Sequence, residues 1–371
     1  MDFSLTEMQE EFRTYVRKVL TKESATQIVR DVAKGDETLL TDAHNKLTDL
    51  GIMGISIAEE YGGLELGSTD FIPVMEELGR AVMPDVYAET LAFVAPLIAQ
   101  YGTAQQKQDY LGAITEGSRL LSLAWIEPNG SYNEDSISTS VRETADGLVL
   151  TGEKTVVRLT EQVTHLLVVA KDDQQNIRLL IVPRKNGKYV KQKSFDETQS
   201  FYRVTFEDEL LGKDQEIVLP SASLALQQAS VQLLASINSM MVGAMDRLVE
   251  MCTEYAKMRE QFGQPIGRFQ AIKHRLADCK VMLESARALS HYAAWTVENN
   301  SEDRLETVLS AKAMIVDSFI KISGESVQIH GGIGFTEELD CHLYVKRARV
   351  YENYLGSQYA IREKAAAAMG W

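Results

Sequence analysis

Apolar residues change their spacing twice along the chain. Over residues 1–120 they recur every three or four positions, as in Leu5, Met8, Phe12, Val16 and Val19, the period of an amphipathic helix. "LAFVAPLIAQYG" and "AQQKQDYLGAIT" read as two further helices, the first ending near Gly102 and the second capped by Thr103. Between helices lies a glycine-rich loop, "ISIAEEYGGLELGSTD", with Ser68 or Thr69 as the cap that follows it. Over residues 121–219 the rhythm becomes strand-like. "SISTSVRETADGLVLTGEKTVV" alternates and contains Asp146-Gly147, a hairpin signal, while "HLLVVA" and "IRLLIVP" are short apolar runs and "YRVTFEDELL" alternates again. This punctuation predicts a compact antiparallel sandwich or barrel.

From residue 220 to 371 helical spacing returns over longer runs. Val231, Leu234, Met241, Met245, Leu248, Cys252 and Tyr255 share one stripe, with Asn238 as its polar interruption. Ile272, Leu276, Cys279, Leu283, Ala286, Ala293 and Val297 make a second; Leu305, Leu309, Ile315, Phe319 and Ile322 a third; the tail after Leu339 a fourth. Four helices with short joints predict an antiparallel bundle. The expected fold is therefore multi-domain: an N-terminal all-α domain (1–120), a middle β-domain (121–219) and a C-terminal four-helix bundle (220–371).

Charge narrows the partners. The 371 residues carry 38 basic and 53 acidic side chains, a net charge of −15, which argues against nonspecific nucleic-acid binding and against an anionic membrane surface. Cys252, Cys279 and Cys341 form no C-x-x-C pair and imply no disulfide framework. The opening "MDFSLTEMQEEF" is acidic where a signal peptide is basic, and no apolar run approaches membrane-spanning length. A cytoplasmic location is expected.

The chain has no Walker loop, no H-E-x-x-H and no spaced Cys/His set, so no metal site is expected. "GGIGFTEE" lacks the third glycine of a dinucleotide fingerprint and sits in a helical context. The chemistry-bearing stretch is "YAKMREQFGQPIGRFQ", where a long helix breaks at Gly263 and Pro265 and resumes at once. Taken singly, Arg259 suits a helix C-terminus and Phe262 plugs a bundle end. About sixty residues later "QIHGGIGF" marks a second joint. Both joints put glycine, a planar amide (Gln270, Gln328) and backbone donors at helix ends, with Arg259 nearby. Such groups can clamp a dinucleotide pyrophosphate, because arginine presents paired donors and glycine lets backbone approach.

This double motif resembles the acyl-CoA dehydrogenase family, and the resemblance extends over essentially the whole chain. "EEYGGLELGSTD" looks like the family's N-terminal loop, "LAWIEPNGS" its entry to the β-domain and "LTGEKTVV" the strand beside the flavin. The resemblance implies FAD as cofactor and a fatty or related acyl thioester of coenzyme A as substrate. It implies removal of the α-proton by a carboxylate, hydride transfer from the β-carbon to the flavin, and a trans-2-enoyl-CoA product. An electron-transferring flavoprotein normally reoxidises the flavin. Residue by residue, Arg259, Gln261, Phe262, Gln270, Gln328, Gly331 and Gly332 fall on the cofactor-clamping motifs. In the family these reach the FAD of a neighbouring subunit, which implies a dimer, tetramer or other oligomer.

Three departures accompany the match. The family's C-terminal Tyr-Glu-Gly-Thr, whose glutamate is the base, corresponds to Tyr354-Leu355-Gly356-Ser357. The other position that holds the base in some members corresponds to Leu233. After "GEK", the flavin-contacting Trp-Ile-Thr or Ser-Asn run is replaced by Val156-Val157-Arg158-Leu159; Thr-Glu-Pro is Ile126-Glu127-Pro128, and the glycine-serine turn is approximated by Gly130-Ser131. Glu352, one helical turn before Leu355, and Glu338 and Asp340 are the remaining nearby acids, read as solvated helix-end residues. Lys346, Arg347 and Arg349 read as a basic helix face, with attraction of CoA phosphates as the alternative. The catalytic residue is left unassigned. Three readings stand: a subunit resembling the small or β-type members of heteromeric dehydrogenases, completed by a partner's base; a self-sufficient homomeric dehydrogenase with a displaced base such as Glu352; and a non-catalytic acyl-CoA-binding scaffold.

Overall fold

The short apolar runs of the middle zone pair as eight strands. They are β1 (Leu120–Ala124), β2 (Ser140–Thr144), β3 (Gly147–Arg158), β4 (Val163–Lys171), β5 (Ile177–Pro183), β6 (Lys188–Gln192), β7 (Phe201–Leu211) and β8 (Glu216–Ile217). The computed structural model describes residues 5–21 and 26–371; the first four residues of the acidic opening stretch lie outside the described residues. The sheet runs β6-β7-β3-β2-β4-β5-β8, with β1 on β4. A hairpin joins β2 to β3 where Asp146-Gly147 signals one, with Ala145 and Asp146 as its loop and Thr144 opposite Gly147. The expectation of an all-antiparallel sheet needs correction, because β1 and β2 both join β4 in parallel. From Leu166 onward β4 is buried without alternation, the pattern of a strand covered on both faces.

The chain divides into two compact units. One comprises Ile28–Gly67 and Pro84–Leu233, and contains the sheet. In it the short helix Val86–Glu89 and the turn Thr90–Val94 dock on β1: Thr90 Oγ1 donates to Leu121 O at 2.9 Å, and the Glu89 carboxylate accepts from Ser122 Oγ and Leu123 N, both at 2.9 Å. Thr103 caps the segment that begins at Ala104 through a reciprocal capping box with Gln106.

The other unit comprises Met1–Gln27, Ser68–Met83 and Leu234–Trp371. Its long helices are Ala222–Met258 (from Leu234 onward), Gln270–Glu298 and Arg304–His330. The tail after Leu339, which the apolar spacing reads as one helix, is two: Cys341–Glu352 and Gln358–Ala368. The break falls at Leu355 and Gly356, whose φ values of +56° and +135° a right-handed helix cannot contain.

Two glycines bring the helix Ser68–Arg80 onto Ala222–Met258. A Cβ on Gly79 would lie 1.9 Å from Met240 O, and one on Gly243 would lie 1.8 Å from Glu76 O, so the backbones touch directly. Beside this crossing the buried Glu76 carboxylate accepts from Arg287 Nη1 at 2.8 Å, Arg13 Nη2 at 3.0 Å and His291 at 3.2 Å. Burial opposes its ionisation, but these partners win and hold the carboxyl below its ordinary range. A buried acid at a helix crossing is thus neutralised from two other helices, Glu7–Thr21 and Gln270–Glu298, which ties the three together.

The Gly243→Ala variant should be destabilised by about 2 kcal/mol or more, since the obstruction is backbone and cannot rotate away. Thermal and urea unfolding of the two proteins measure this; equal midpoints would show that the helices separate without cost.

Candidate functional site

At Met258 the first long helix stops in a tight ribbon. Arg259 N still donates to Tyr255 O at 2.8 Å, and Ile266 N returns to Arg259 O at 2.8 Å. Between them Glu260–Gln261 pairs with Gln264–Pro265, with Gln261 opposite Gln264. The two residues at the turn, Phe262 and Gly263, have φ of +52° and +78°. Two left-handed residues in a two-residue hairpin loop form the turn that favours glycine at its second position. Phe262 takes the first position despite its bulk, and its ring is 92% exposed, touching Phe269 edge-on at 6.0 Å. The next helix then starts at Gln270.

The second joint ends the helix Arg304–His330. Gly331 has φ 65° and ψ −140°, a conformation essentially reserved for glycine. The joints meet through a specific contact. The Tyr255 and His330 rings lie 4.5 Å apart, and Tyr255 OH donates to His330 O at 3.4 Å. Periodicity put Tyr255 on the first bundle stripe; its contact with His330 was not read from the sequence.

All seven residues matched to the clamp are exposed: Arg259, Gln261, Phe262, Gln270, Gln328, Gly331 and Gly332. A Cβ on Gly263, Gly331 or Gly332 would meet nothing within 4 Å. At Gly332, φ is not positive either, so nothing within the protomer demands glycine there. Among the described residues the Arg259 guanidinium makes no side-chain hydrogen bond or ion pair. Gln261 is occupied only by its neighbour, donating to Glu260 O at 2.8 Å. Phe335, beyond the second joint, is 84% exposed. The result is an uncovered end with a free guanidinium, carboxamides, accessible backbone amides and two solvated phenyl rings. Such a set receives an anion flanked by flat apolar groups.

The strand matched to the flavin is described within the other unit. Lys154 on β3 is completely buried and donates to Glu127 Oε1 at 2.8 Å and to Trp125 O at 3.2 Å. Glu127 also accepts from Ser138 N and Thr139 N, each at 2.8 Å. Burial alone would raise this carboxyl, but the Lys154 and Ser138 hydrogen bonds prevail and hold it at about 2. Four residues on, the buried Arg158 guanidinium lies 3.2 Å from Asp85 and 3.1 Å from Glu89, and Gln199 donates to Asp85 at 3.1 Å. Val156, between them, sits at φ +56° in a bulge against β7, and its N–H donates to Gln192 Oε1 at 2.9 Å. A β-branched residue at positive φ is a strained one. Sequence reading marked Val156 and Arg158 as departures. It had no signal for the acids that receive Arg158, which lie about seventy residues earlier.

Of the remaining acids, Glu338 is exposed and the other two are engaged. Glu352 pairs with Arg349 at 3.0 Å at the end of its helix, and Asp340 accepts from Thr26 Oγ1 at 2.7 Å. Since the helix ends at Glu352, the one-turn spacing that would align it with Leu355 does not continue. The reading of Arg347 as part of a basic surface is corrected: it is buried and donates to Met83 O at 2.7 Å and Val82 O at 3.0 Å. Leu233 and Leu355 are both buried. The three cysteines are free and buried, and burial pushes the Cys252 thiol up to about 12. Among the described residues no cluster of His, Cys, Asp and Glu could hold a metal, and no helix is long and apolar enough to cross a membrane.

Sequence profiles of two domains match the chain. Residues 6–118 match the acyl-CoA dehydrogenase N-terminal domain and residues 209–370 the acyl-CoA dehydrogenase C-terminal domain, together well over half of the chain. The chain belongs to the acyl-CoA dehydrogenase family. A probable acyl-CoA dehydrogenase of Bacillus subtilis (strain 168) is 29% identical over 368 residues, covering 95% of each chain. The structure of butyryl-CoA dehydrogenase from Megasphaera elsdenii superposes with a TM-score of 0.91 at 24% identity, over 100% of both chains. A chain of the ChsE4–ChsE5 complex from Mycobacterium tuberculosis superposes with a TM-score of 0.88 at 23% identity, over 100% of this chain and 99% of that one. The chain thus has the acyl-CoA dehydrogenase fold, with an N-terminal helical domain, a central β-sheet domain and a C-terminal helical domain.

Within this acyl-CoA dehydrogenase the Lys154–Glu127 pair should behave as a unit. Glu127→Gln leaves a buried ammonium without its counter-charge and should cost about 3–5 kcal/mol in urea unfolding, while the double variant Glu127→Gln/Lys154→Met should recover most of the loss. The stabilisation has an acid limit. A carboxyl held low in the fold stabilises fully above its unfolded pKa of about 4.3 and less as pH falls toward about 2. Wild type should lose more stability across that window than Glu127→Gln, which keeps the acid sensitivity of the other paired carboxylates such as Glu76; parallel curves would remove the pair from the account.

Proposed function

We propose that this chain is an FAD-dependent acyl-CoA dehydrogenase subunit acting on an acyl-CoA thioester, with α,β-dehydrogenation to a 2-enoyl-CoA as its reaction and an electron-transferring flavoprotein as its electron acceptor. The observation that carries the proposal is the uncovered end of the bundle. A pyrophosphate needs an unpaired guanidinium and open backbone, and the chain leaves Arg259, Gly331 and Gly332 in that state. The residues present therefore fit the cofactor. Arg259 would bind the phosphates, Gln261, Gln270 and Gln328 would donate from their amides, and Phe262 would cover a flat face. When bound, FAD supplies the hydride acceptor. What this chain's own residues do is hold that group at two joints kept together by Tyr255 and His330, and present it to a neighbouring subunit.

The base is read as a partner's. The family's two base positions are Leu355 and Leu233 here, both apolar and buried. Glu352, the displaced candidate, is engaged by Arg349 at 3.0 Å and ends its helix three residues before Leu355, which is itself left-handed. At the strand matched to the flavin, Arg158 is committed to Asp85 and Glu89. A cofactor clamp without a proton acceptor favours a hetero-oligomer in which a homologous subunit provides the carboxylate. The fold-level likeness to a chain of a two-component complex fits that reading.

Purified alone, the protein should oxidise acyl-CoA thioesters at least about a hundredfold more slowly than when co-expressed with its catalytic homologue, since general-base catalysis is worth about 10²–10⁴ in rate. In the co-expressed complex, Arg259→Ala should lower bound FAD per subunit, measured by flavin absorbance after gel filtration. Full turnover by the lone protein would eliminate the partner's base; unchanged flavin in the variant would eliminate the clamp.

A further inference from the structure

We propose that Lys312 is a positioning residue, which with Gln358 locks the turn at residues 353–357 and so fixes where the side chain of residue 355 points. Five observations converge on it. Leu355 is held at φ +56° and Gly356 at +135°, although leucine resists that region and neither flanking helix continues through it. Such a conformation persists only where its surroundings impose it. The local hydrogen bonds are long: Tyr354 N to Tyr351 O and Gly356 N to Asn353 O, both 3.3 Å.

The imposing contacts come from one neighbouring helix, Arg304–His330. Lys312, completely buried, donates its ammonium to Tyr351 O, the carbonyl from which the turn departs. A cation there also opposes the negative end of the helix Cys341–Glu352. On the far side of the turn, Gln358 Nε2 donates to Ala313 O at 3.0 Å and Asp317 Oδ1 at 2.9 Å. Consecutive residues, Lys312 and Ala313, therefore grip the chain before and after residue 355. The Tyr354 ring, buried and edge-on to Tyr351 at 6.3 Å, closes the turn from inside. An apparatus with a buried ammonium is more than a leucine turn needs for its own sake. It holds residue 355 in one direction whatever its side chain, so an acid restored there would arrive already oriented. That functional half rests on the acyl-CoA dehydrogenase reading above; the conformational half does not.

Amide hydrogen exchange on the full-length protein tests the lock. Lys312→Met should speed exchange at residues 354–356 about tenfold or more, the scale set by losing a hydrogen bond from a charged donor, with the interior of Arg304–His330 unchanged. Gln358→Ala should act in the same direction, and decides the matter should Lys312→Met fail to fold. Unchanged exchange at 354–356 in the folded variants overturns the proposal. The functional arm uses Leu355→Glu with butyryl-CoA in D2O, where the new carboxylate takes the α-proton and returns a deuteron with no net oxidation. Deuterium should enter the α-carbon with Leu355→Glu and not with wild type. Adding Lys312→Met should lower the rate at saturation about tenfold and leave KM unchanged, which general destabilisation would not do. A double variant as fast as Leu355→Glu alone overturns the positioning role. No exchange with Leu355→Glu, together with faster amide exchange in Lys312→Met, keeps the lock and counts against acyl-CoA binding by this subunit.

Discussion

The contact between Tyr255 and His330 is the constraint on which the candidate site depends. Helices that end independently leave their last polar groups to water. Here one aromatic pair, 4.5 Å between ring centres, ties the end of the first bundle helix to the end of the third. The exposed guanidinium of Arg259 and the open glycines 331 and 332 then belong to one surface. Glycine supplies conformations that leucine or alanine resist, and the hairpin at Phe262-Gly263 pushes a phenyl ring into solvent. A soluble chain with no use for that arrangement would bury the ring. Leaving it uncovered is costly in water and sensible beneath a flat cofactor.

The two halves of the family's flavin chemistry fare differently in this chain. The parts at the bundle end are free, whereas the strand matched to the flavin is heavily committed to its own unit. Lys154 is tied to Glu127, and Arg158 to Asp85 and Glu89, all of them buried. Buried ion pairs rarely add stability over apolar packing, yet losing one partner is severe. Arg158 therefore stands as a fixed structural group, unavailable to a ligand without breaking that network. The buried leucines 233 and 355 fit the same division in the proposed reading, in which the chain serves a neighbour's chemistry.

Much of this was legible in the sequence, for identifiable reasons. The helical, strand and helical zones follow from apolar periodicity, and the two joints from glycine and proline interrupting it. The hairpin at Asp146-Gly147 and the cap at Thr103 follow from local turn and capping chemistry that needs no tertiary context. Other features were out of reach because they join residues far apart. The parallel joins of β1 and β2 to β4 leave no periodic trace, nor do the acids receiving Arg158 or the glycine-to-backbone contact of Gly79 and Gly243. The tail misled in a different way. Its apolar spacing runs on past Glu352, but the pull of Lys312 and Gln358 on either side of Leu355 overrides helical propensity. Arg347 misled likewise, because a basic residue among basic neighbours reads as surface until its carbonyl partners are known.

The most direct measurement is a crystal structure of the assembled oligomer grown with excess FAD. The account predicts a diphosphate within hydrogen-bonding distance of the Arg259 guanidinium and the backbone at Gly331 and Gly332, with the Phe262 ring against the cofactor. The same joints closed by protein side chains, with no cofactor between protomers, would contradict it.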